Sequence, residues 1–290
     1  MLRIAVPNKG ALSRPAIEML REAGYRQRGD DRDLVCQDPA NDVEFFYLRP
    51  RDIAVYVGSG DLDLGITGRD LLLDSGAPAT EIMDLSFGGA QFRFAARPET
   101  LQSVAEIDGR RVATAFPGVV AHYLAANSLS ATVVRLDGAV ENAIRLGVAD
   151  VIADVVETGA TLRQAGLVTV GEPLLRSSAI LIGRTASETA EDAAAADGKA
   201  GTAQLLRRLQ GVLVARRYVM LAYDVRADLL DQATALTPGI ESPTVSPLHR
   251  EGWVAVQAMV QRAEMHRIMD ELYEIGARAI LVTDIAATRL

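Results

Sequence analysis

The chain has 290 residues with 30 Lys+Arg against 38 Asp+Glu, a formal charge of −8. That length allows about two domains, each able to bury its own core, and 49% apolar with 23% charged residues is a globular balance that argues against disorder. The acidic excess argues against a general nucleic-acid or anionic-membrane binder, and the lone Cys36 excludes an intramolecular disulfide and a cysteine-based zinc cluster.

The opening MLRIAVPNKGALS meets a polar loop after a handful of apolar residues, too few for a signal peptide or membrane span. A soluble, cytoplasmic protein with a reduced thiol is expected. LRIAVP, residues 2–7, reads as a short buried strand. Ser13 as N-cap and Pro15 in the first turn open a helix with Ala16, Ile17, Leu20 and Ala23 on its apolar face, ended by Gly24. VEFFYL, residues 43–48, is a second strand, broken by Arg49-Pro50. A helix over 51–57 leads to GSGDLDLGITG, where Leu62, Leu64 and Ile66 mark a strand, and Asp70 opens a helix ended by Gly76.

After Phe87-Gly88-Gly89, strands are expected at FRFAAR, RRVATAF and TVVRL, with a helix over 119–127 between the last two. A helix over 139–146, a strand over 149–156, a helix opened by TGATL and one strand across EPLLRSSAILIGR follow. Two stretches, 60–68 and 147–159, share a glycine turn, an acidic residue, an apolar strand and a Thr-Gly exit. This loose repeat suggests two α/β lobes facing each other across a cleft, with ligands at the carboxyl ends of the strands. Residues 185–201 read as an alanine-rich surface insertion or linker. The block beyond it has the βαββαβ order of a ferredoxin-like domain and no catalytic cluster, so regulation or assembly is its expected role.

Residues 150–162, DVIADVVETGATL, carry the densest chemistry. An apolar strand delivers Asp154 at its end, and Thr158-Gly159-Ala160-Thr161-Leu162 turns into a helix. Backbone N–H groups and threonine hydroxyls in such a turn favour a phosphate, and the adjacent carboxylate is placed for Mg²⁺ or a sugar hydroxyl. The alternative is a threonine-capped turn without a ligand.

The strand–acid–TGxT arrangement resembles the phosphoribosyl-pyrophosphate loop of the phosphoribosyltransferases. Glu141, Gly147, Ala149, Ile152, Asp154, Val155, Thr158, Gly159, Thr161 and Leu162 keep a spacing that resembles the signature of the ATP phosphoribosyltransferases. RIAVPNKGAL, LRPRDIAVYVGSGDLDLGITGRD, TPGIESPTVSPL and IMDELYEIGARAIL resemble that family too, so the likeness covers most of the chain apart from 185–201. The C-terminal block points to the long form.

The resemblance implies a two-lobe, periplasmic-binding-protein-like catalytic core, with lobe I at 1–88 and 180–210 and lobe II at 89–179. A ferredoxin-like regulatory domain takes 211–290. It implies transfer of the phosphoribosyl group of phosphoribosyl pyrophosphate to N1 of ATP with Mg²⁺ and release of pyrophosphate, as the first step of histidine biosynthesis, with feedback inhibition by L-histidine. The partners implied are a second and further copies, from dimer to hexamer, with no nucleic acid and no membrane.

By the same resemblance, Asp154 and Thr158 to Leu162 meet the ribose and 5′-phosphate, and Glu141 and Asp154 the metal. Lys9 with Gly10 meets phosphate oxygens, Arg49 is a second phosphate clamp, and Thr67, Gly68 and Asp70 line the nucleotide side. Phe116 stands where many relatives have tyrosine, so no phenolic hydroxyl is available there, and Glu157 is expected to face solvent. Asp224, Thr244, Met259 and Ala279 form the histidine site. Plainer readings stay open: a solvated Lys9, an ion-paired Arg49, a surface Glu141, a helix-capping Asp70, ordinary turn chemistry at Asp224 and Thr244, and core packing for Met259. A different class also stays open, since two α/β lobes around a cleft describe amino-acid or anion binding proteins and sensors without catalysis. The acid-plus-TGxT loop and the extra C-terminal block favour the enzyme.

Overall fold

The computed structural model describes residues 1–156, 159–185 and 201–289, so Glu157, Thr158 and nearly all of the 185–201 segment lie outside the described residues. The chain divides into two compact units, Met1–Glu18 with Arg26–Thr202, and Met19–Tyr25 with Ala203 onward.

In the first unit the elements run β1 (Leu2–Pro7), α1 (Ser13–Glu22), β2 (Val35–Asp38), β3 (Val43–Leu48), α2 (Pro50–Gly58), β4 (Leu64–Gly68), α3 (Arg69–Ser75) and β5 (Ala79–Asp84). They continue through β6 (Ala90–Ala96), β7 (Arg111–Thr114), α4 (Pro117–Ala126), β8 (Thr132–Arg135), α5 (Asn142–Arg145), β9 (Val151–Val156), α6 (Ala160–Gln164), β10 (Val168–Ser177) and β11 (Ala179–Arg184). One sheet has the order β2-β3-β1-β4-β11-β5, the other β10-β6-β9-β7-β8. Strand β1 lies between parallel neighbours, and its Leu2, Ile4, Ala5 and Val6 are all buried, the continuous apolar run of a strand covered on both faces.

The repeat read from 60–68 and 147–159 has a structural counterpart. Strand β4 is parallel to β1 and antiparallel to β11, and β9 is parallel to β7 and antiparallel to β6. Each marks a place in its own sheet where parallel pairing gives way to antiparallel, as β3 also does beside β2.

Three expectations are corrected. The single strand expected over 172–184 is two, β10 and β11, which belong to different sheets and part at Ser178. The helix expected over 139–146 shrinks to α5, because Gly138 (φ 156°) and Ala139 (φ 48°) take left-handed backbone that an α-helix cannot contain. Strands β2 and β5 were not expected: both are edge strands, short and partly polar, so neither carries a continuous apolar run.

The second unit takes the end of α1 from Met19 and, from Ala203 on, α7 (Gly201–Arg217), β12 (Tyr218–Arg226), α8 (Leu230–Leu236), β13 (Thr244–Pro247), β14 (Trp253–Gln261), α9 (Met265–Ile275) and β15 (Arg278–Asp284). Its antiparallel sheet, β13-β14-β12-β15, has the strand order of the ferredoxin-like fold. Alternation along β12 sends Val219, Leu221, Tyr223 and Val225 into one core with Ala233 of α8 and Ile268 and Leu272 of α9. Burying Leu272 fully contributes about 1.5–3 kcal/mol. The buried Tyr223 and Thr237 hydroxyls satisfy each other at 2.8 Å.

Candidate active site

Three parallel strands carry one group of the candidate residues. Strands β3, β1 and β4 run the same way, with Pro7 opposite Leu48 and Ala5 opposite Gly65. Lys9, Arg49 and the segment Thr67–Gly68–Asp70 therefore emerge at the same carboxyl edge of the sheet, the usual location of ligands in such sheets. Lys9 and Arg49 are exposed, and Gly10 turns the loop with φ 78°. Thr67 is fully buried and donates its hydroxyl to the Pro50 carbonyl at 2.8 Å, pinning the start of α2 onto β4. A Cβ at Gly68 would run into Asp70 Oδ1, the end of a side chain that Ser177 holds in place. The Asp70 carboxylate accepts the Ser177 hydroxyl at 2.7 Å rather than capping its own helix.

The second sheet carries the other group, around a cavity whose lining comes from residues 141–162 alone. Val151, Ile152 and Ala153 are buried, and β9 then emerges with a half-buried Asp154. On the face where Ile152 packs into a core with Ala113, Val140 and Leu162, Asp154 comes next, so the face leads directly into a cavity of about 260 Å³. Glu141, Asp154, Val156, Gly159 and Thr161 line it. Gly159 adopts φ 68° as it opens α6, and buried Leu162 anchors that short helix to the core. Burial pushes the Asp154 carboxyl up from its usual value; the Val155 N–H, donated to Oδ1 at 2.8 Å, opposes this, nearby Glu141 adds to it, and Arg51 counters it. Thr158, expected in this turn, lies outside the described residues.

Sequence reasoning passed over Arg51, in the first turn of α2. Its Nη1 is 3.3 Å from Asp74 Oδ2, its Nη2 donates to the Ala115 carbonyl at 3.1 Å, and its Cζ lies 4.5 Å from the centre of the Phe116 ring. Phe116 meets Phe92 edge-to-face at 5.2 Å. The arginine was present as a signal in LRPRD, two residues after Arg49, but its partners are distant in sequence.

The family models decide the class. One described as ATP phosphoribosyltransferase matches residues 49–211, more than half of the chain, and one described as HisG, C-terminal domain, matches 215–287. The chain belongs to the ATP phosphoribosyltransferase family. ATP phosphoribosyltransferases of Salinispora tropica and Streptomyces avermitilis are 70% and 61% identical to it over 290 residues, the whole length of each chain. A solved ATP phosphoribosyl transferase (HisG:HisZ) complex from Thermotoga maritima shares the fold at 22% identity and a TM-score of 0.57, over 72% of this chain and 99% of that one. The C-terminal match makes this a long-form ATP phosphoribosyltransferase, an enzyme with an added ferredoxin-like domain.

In that domain, Met220, Ala222 and Asp224 alternate with the core residues of β12 and so face away from α8 and α9. Pairing places Met259 opposite Met220, and Thr244 opposite Gln257, which itself lies opposite Ala222. Asp224, Thr244 and Met259 thus share the face of the sheet away from the helices. Ala279 lies where the β12–β15 register shifts, between the pairs Ala222–Leu281 and Asp224–Arg278, and its φ is 50°.

No cluster of three or more His, Cys, Asp or Glu side chains suited to a metal occurs among the described residues. Two carboxylates on one cavity, one of them raised by burial and by the other's charge, nonetheless fit Mg²⁺, which keeps its waters and takes one or two carboxylates plus substrate phosphates. No helix among the described residues is long and apolar enough to cross a membrane.

Proposed function

We propose that the protein transfers the 5-phosphoribosyl group of phosphoribosyl pyrophosphate to N1 of the ATP adenine. A bond forms between N1 and ribose C1, the bond from C1 to the pyrophosphate oxygen breaks, and pyrophosphate leaves. The observation that carries this reading is the pairing of Asp154 and Glu141 on one cavity closed by the Gly159–Thr161 turn. Such a site faces the partial positive charge that builds on the ribose with carboxylates, and the 5′-phosphate with turn N–H groups and the Thr161 hydroxyl.

Lys9 and Arg49, at the carboxyl edge of the other sheet, would meet the phosphate oxygens that an acidic protein otherwise repels. Thr67 acts through the backbone it pins, and Phe116 offers a ring face without a hydroxyl. Mg²⁺, held by Asp154 and Glu141, would neutralise charge on the departing pyrophosphate. Orientation of two bound substrates then supplies most of the rate, so no strong general base is required.

Regulation belongs to the same reading. L-histidine would bind on the open face of the C-terminal sheet, with Asp224 pairing its amino group, Thr244 hydrogen-bonding, and Met259 and Ala279 beside them. Copies would associate as dimers and, with inhibitor, as hexamers. A cytoplasmic setting suits these substrates.

The test is product formation from ATP and phosphoribosyl pyrophosphate with Mg²⁺ and added pyrophosphatase, with and without L-histidine. Turnover suppressed by histidine supports both halves of the reading. Turnover without suppression removes the regulatory half, and histidine binding without turnover favours a sensor.

A further inference from the structure

Arg51 and Asp74 stand on α2 and α3, beside the first sheet, yet their polar contacts reach the second. Asp74 holds Arg51 with one carboxylate oxygen, at 3.3 Å, and with the other accepts the Gly118 N–H at 2.8 Å, in the first turn of α4. Arg51 takes the Ala115 carbonyl and stacks on the Phe116 ring. The turn from β7 into α4 is therefore gripped at a carbonyl, a ring and an N–H by one ion pair. Approach is close: a Cβ on Gly118 would collide with the Asp74 carbonyl oxygen.

This turn borders the reaction site. In the parallel pairing of β7 with β9, Thr114 lies opposite Ala153, so Ala115 comes out of the sheet beside Asp154. A shift of the turn would move both Phe116 and the wall next to that carboxylate. A forked, planar guanidinium presents separate N–H groups to a carboxylate and a carbonyl while its plane stacks on a ring; a compact ammonium has no such plane.

We propose that Arg51 and Asp74 form a clasp fixing the β7–α4 turn against the first sheet, and that Arg51 is thereby a positioning residue for phosphoribosyl transfer at the Asp154 site. The proposal rests on the function put forward above.

The test compares full-length R51M, R51K, D74N and the R51M/D74N double variant with the parent. Both substrates are varied with Mg²⁺ present, well below the lowest unfolding midpoint of the set. Loss of positioning should lower kcat/KM roughly 10- to 100-fold in R51M and D74N alike. R51K should recover part of the loss, and the double variant should fall no further than the worse single one, because the two side chains act as a unit. R51M within about twofold of the parent would sink the clasp. So would a defect in R51M with D74N unaffected, which would mean direct contact between Arg51 and substrate, or losses that multiply in the double variant. A parent that turns nothing over removes the proposed reaction itself, whereas an active parent with an indifferent R51M removes only the clasp.

Discussion

The Ser177 hydroxyl donates to Asp70 Oδ1 at 2.7 Å and accepts the Asp70 backbone N–H at 3.0 Å. Its neighbour Ser178 donates to Asp84 at 2.7 Å and accepts from the Arg69 guanidinium at 3.0 Å, while Arg69 forks onto Glu81. The return of the chain from the second sheet to the first is thus tied to the first turn of α3. Ser177→Ala should lower the unfolding free energy by about 1–2 kcal/mol, because it takes the donor from a half-buried carboxylate. Asp70→Asn, whose amide oxygen still accepts the Ser177 hydroxyl, should lose less. Urea unfolding of the two variants checks the order, and the reverse order would show that the Asp70 charge is what holds the crossing.

Asp154→Asn keeps the size of the side chain and removes its charge. Turnover should fall by roughly 10²-fold or more, since charge stabilisation at the reacting centre is lost. The folded state should not suffer: burial and Glu141 both disfavour the ionised Asp154 carboxyl, so its neutral stand-in relieves that opposition. Initial rates and thermal unfolding in metal-free buffer read the two effects separately. A variant that keeps full turnover would take Asp154 out of the reaction.

What the sequence made legible follows physical lines. Strands β1 and β3 are evident as apolar runs because both are flanked by other strands, and Asp154 stands out as a carboxylate closing such a run. Edge strands β2 and β5 need only half a face of apolar residues and leave a weak pattern. The break between β10 and β11 is set by Ser177 and Ser178 meeting residues 107 and 94 positions away, which no local period records. Arg49 and Arg51 look alike in LRPRD; what separates them is Asp74 and Ala115, 23 and 64 residues downstream of Arg51.

Acid should act through Asp150. Arg111 forks onto its carboxylate, with Nη2 at 2.8 Å, and the Arg111 N–H adds a bond at 3.1 Å; the fork first and the N–H second hold this carboxyl below its ordinary value. A folded value below the unfolded one, about 3.9, means the pair stabilises the fold above that pH and loses its contribution as pH falls through the folded value. Asp150→Asn should therefore be less stable than the parent at neutral pH, with the gap closing towards pH 3 in urea unfolding series. A gap that stayed constant with pH would assign the difference to packing.

Gly118 and Gly183 both lack space for a methyl group, but their neighbours differ. A Cβ on Gly118 meets the Asp74 backbone, which cannot move without α3, whereas one on Gly183 meets Ile82 Cδ1 at 2.7 Å, the free end of a side chain that can rotate. Gly118→Ala should destabilise by about 1–3 kcal/mol and depress turnover as the β7–α4 turn shifts, while Gly183→Ala should stay near the parent in both. Chemical denaturation and initial rates on the two variants check this. Equal behaviour would mean that α3 and α4 give way more easily than their contact implies.

Asp224 offers the cleanest separation of turnover from the proposed regulation. Its neighbours Tyr223 and Val225 point into the helix-covered core, while its own side chain lies on the open face with Thr244 and Met259. Asp224→Ala therefore removes a carboxylate without opening a cavity, and the Tyr223–Thr237 bond at 2.8 Å stays in place. Turnover without histidine should remain at the parent level, and the histidine concentration for half inhibition should rise at least tenfold, as expected for losing a charge-assisted hydrogen bond worth about 1.5–3 kcal/mol. Tyr223→Phe, which breaks the buried bond from the other side of the same strand, serves as the control: it should lower the unfolding midpoint and leave inhibition in place. Sensitivity retained in Asp224→Ala but lost in Tyr223→Phe would move the histidine site to the helical face of the sheet.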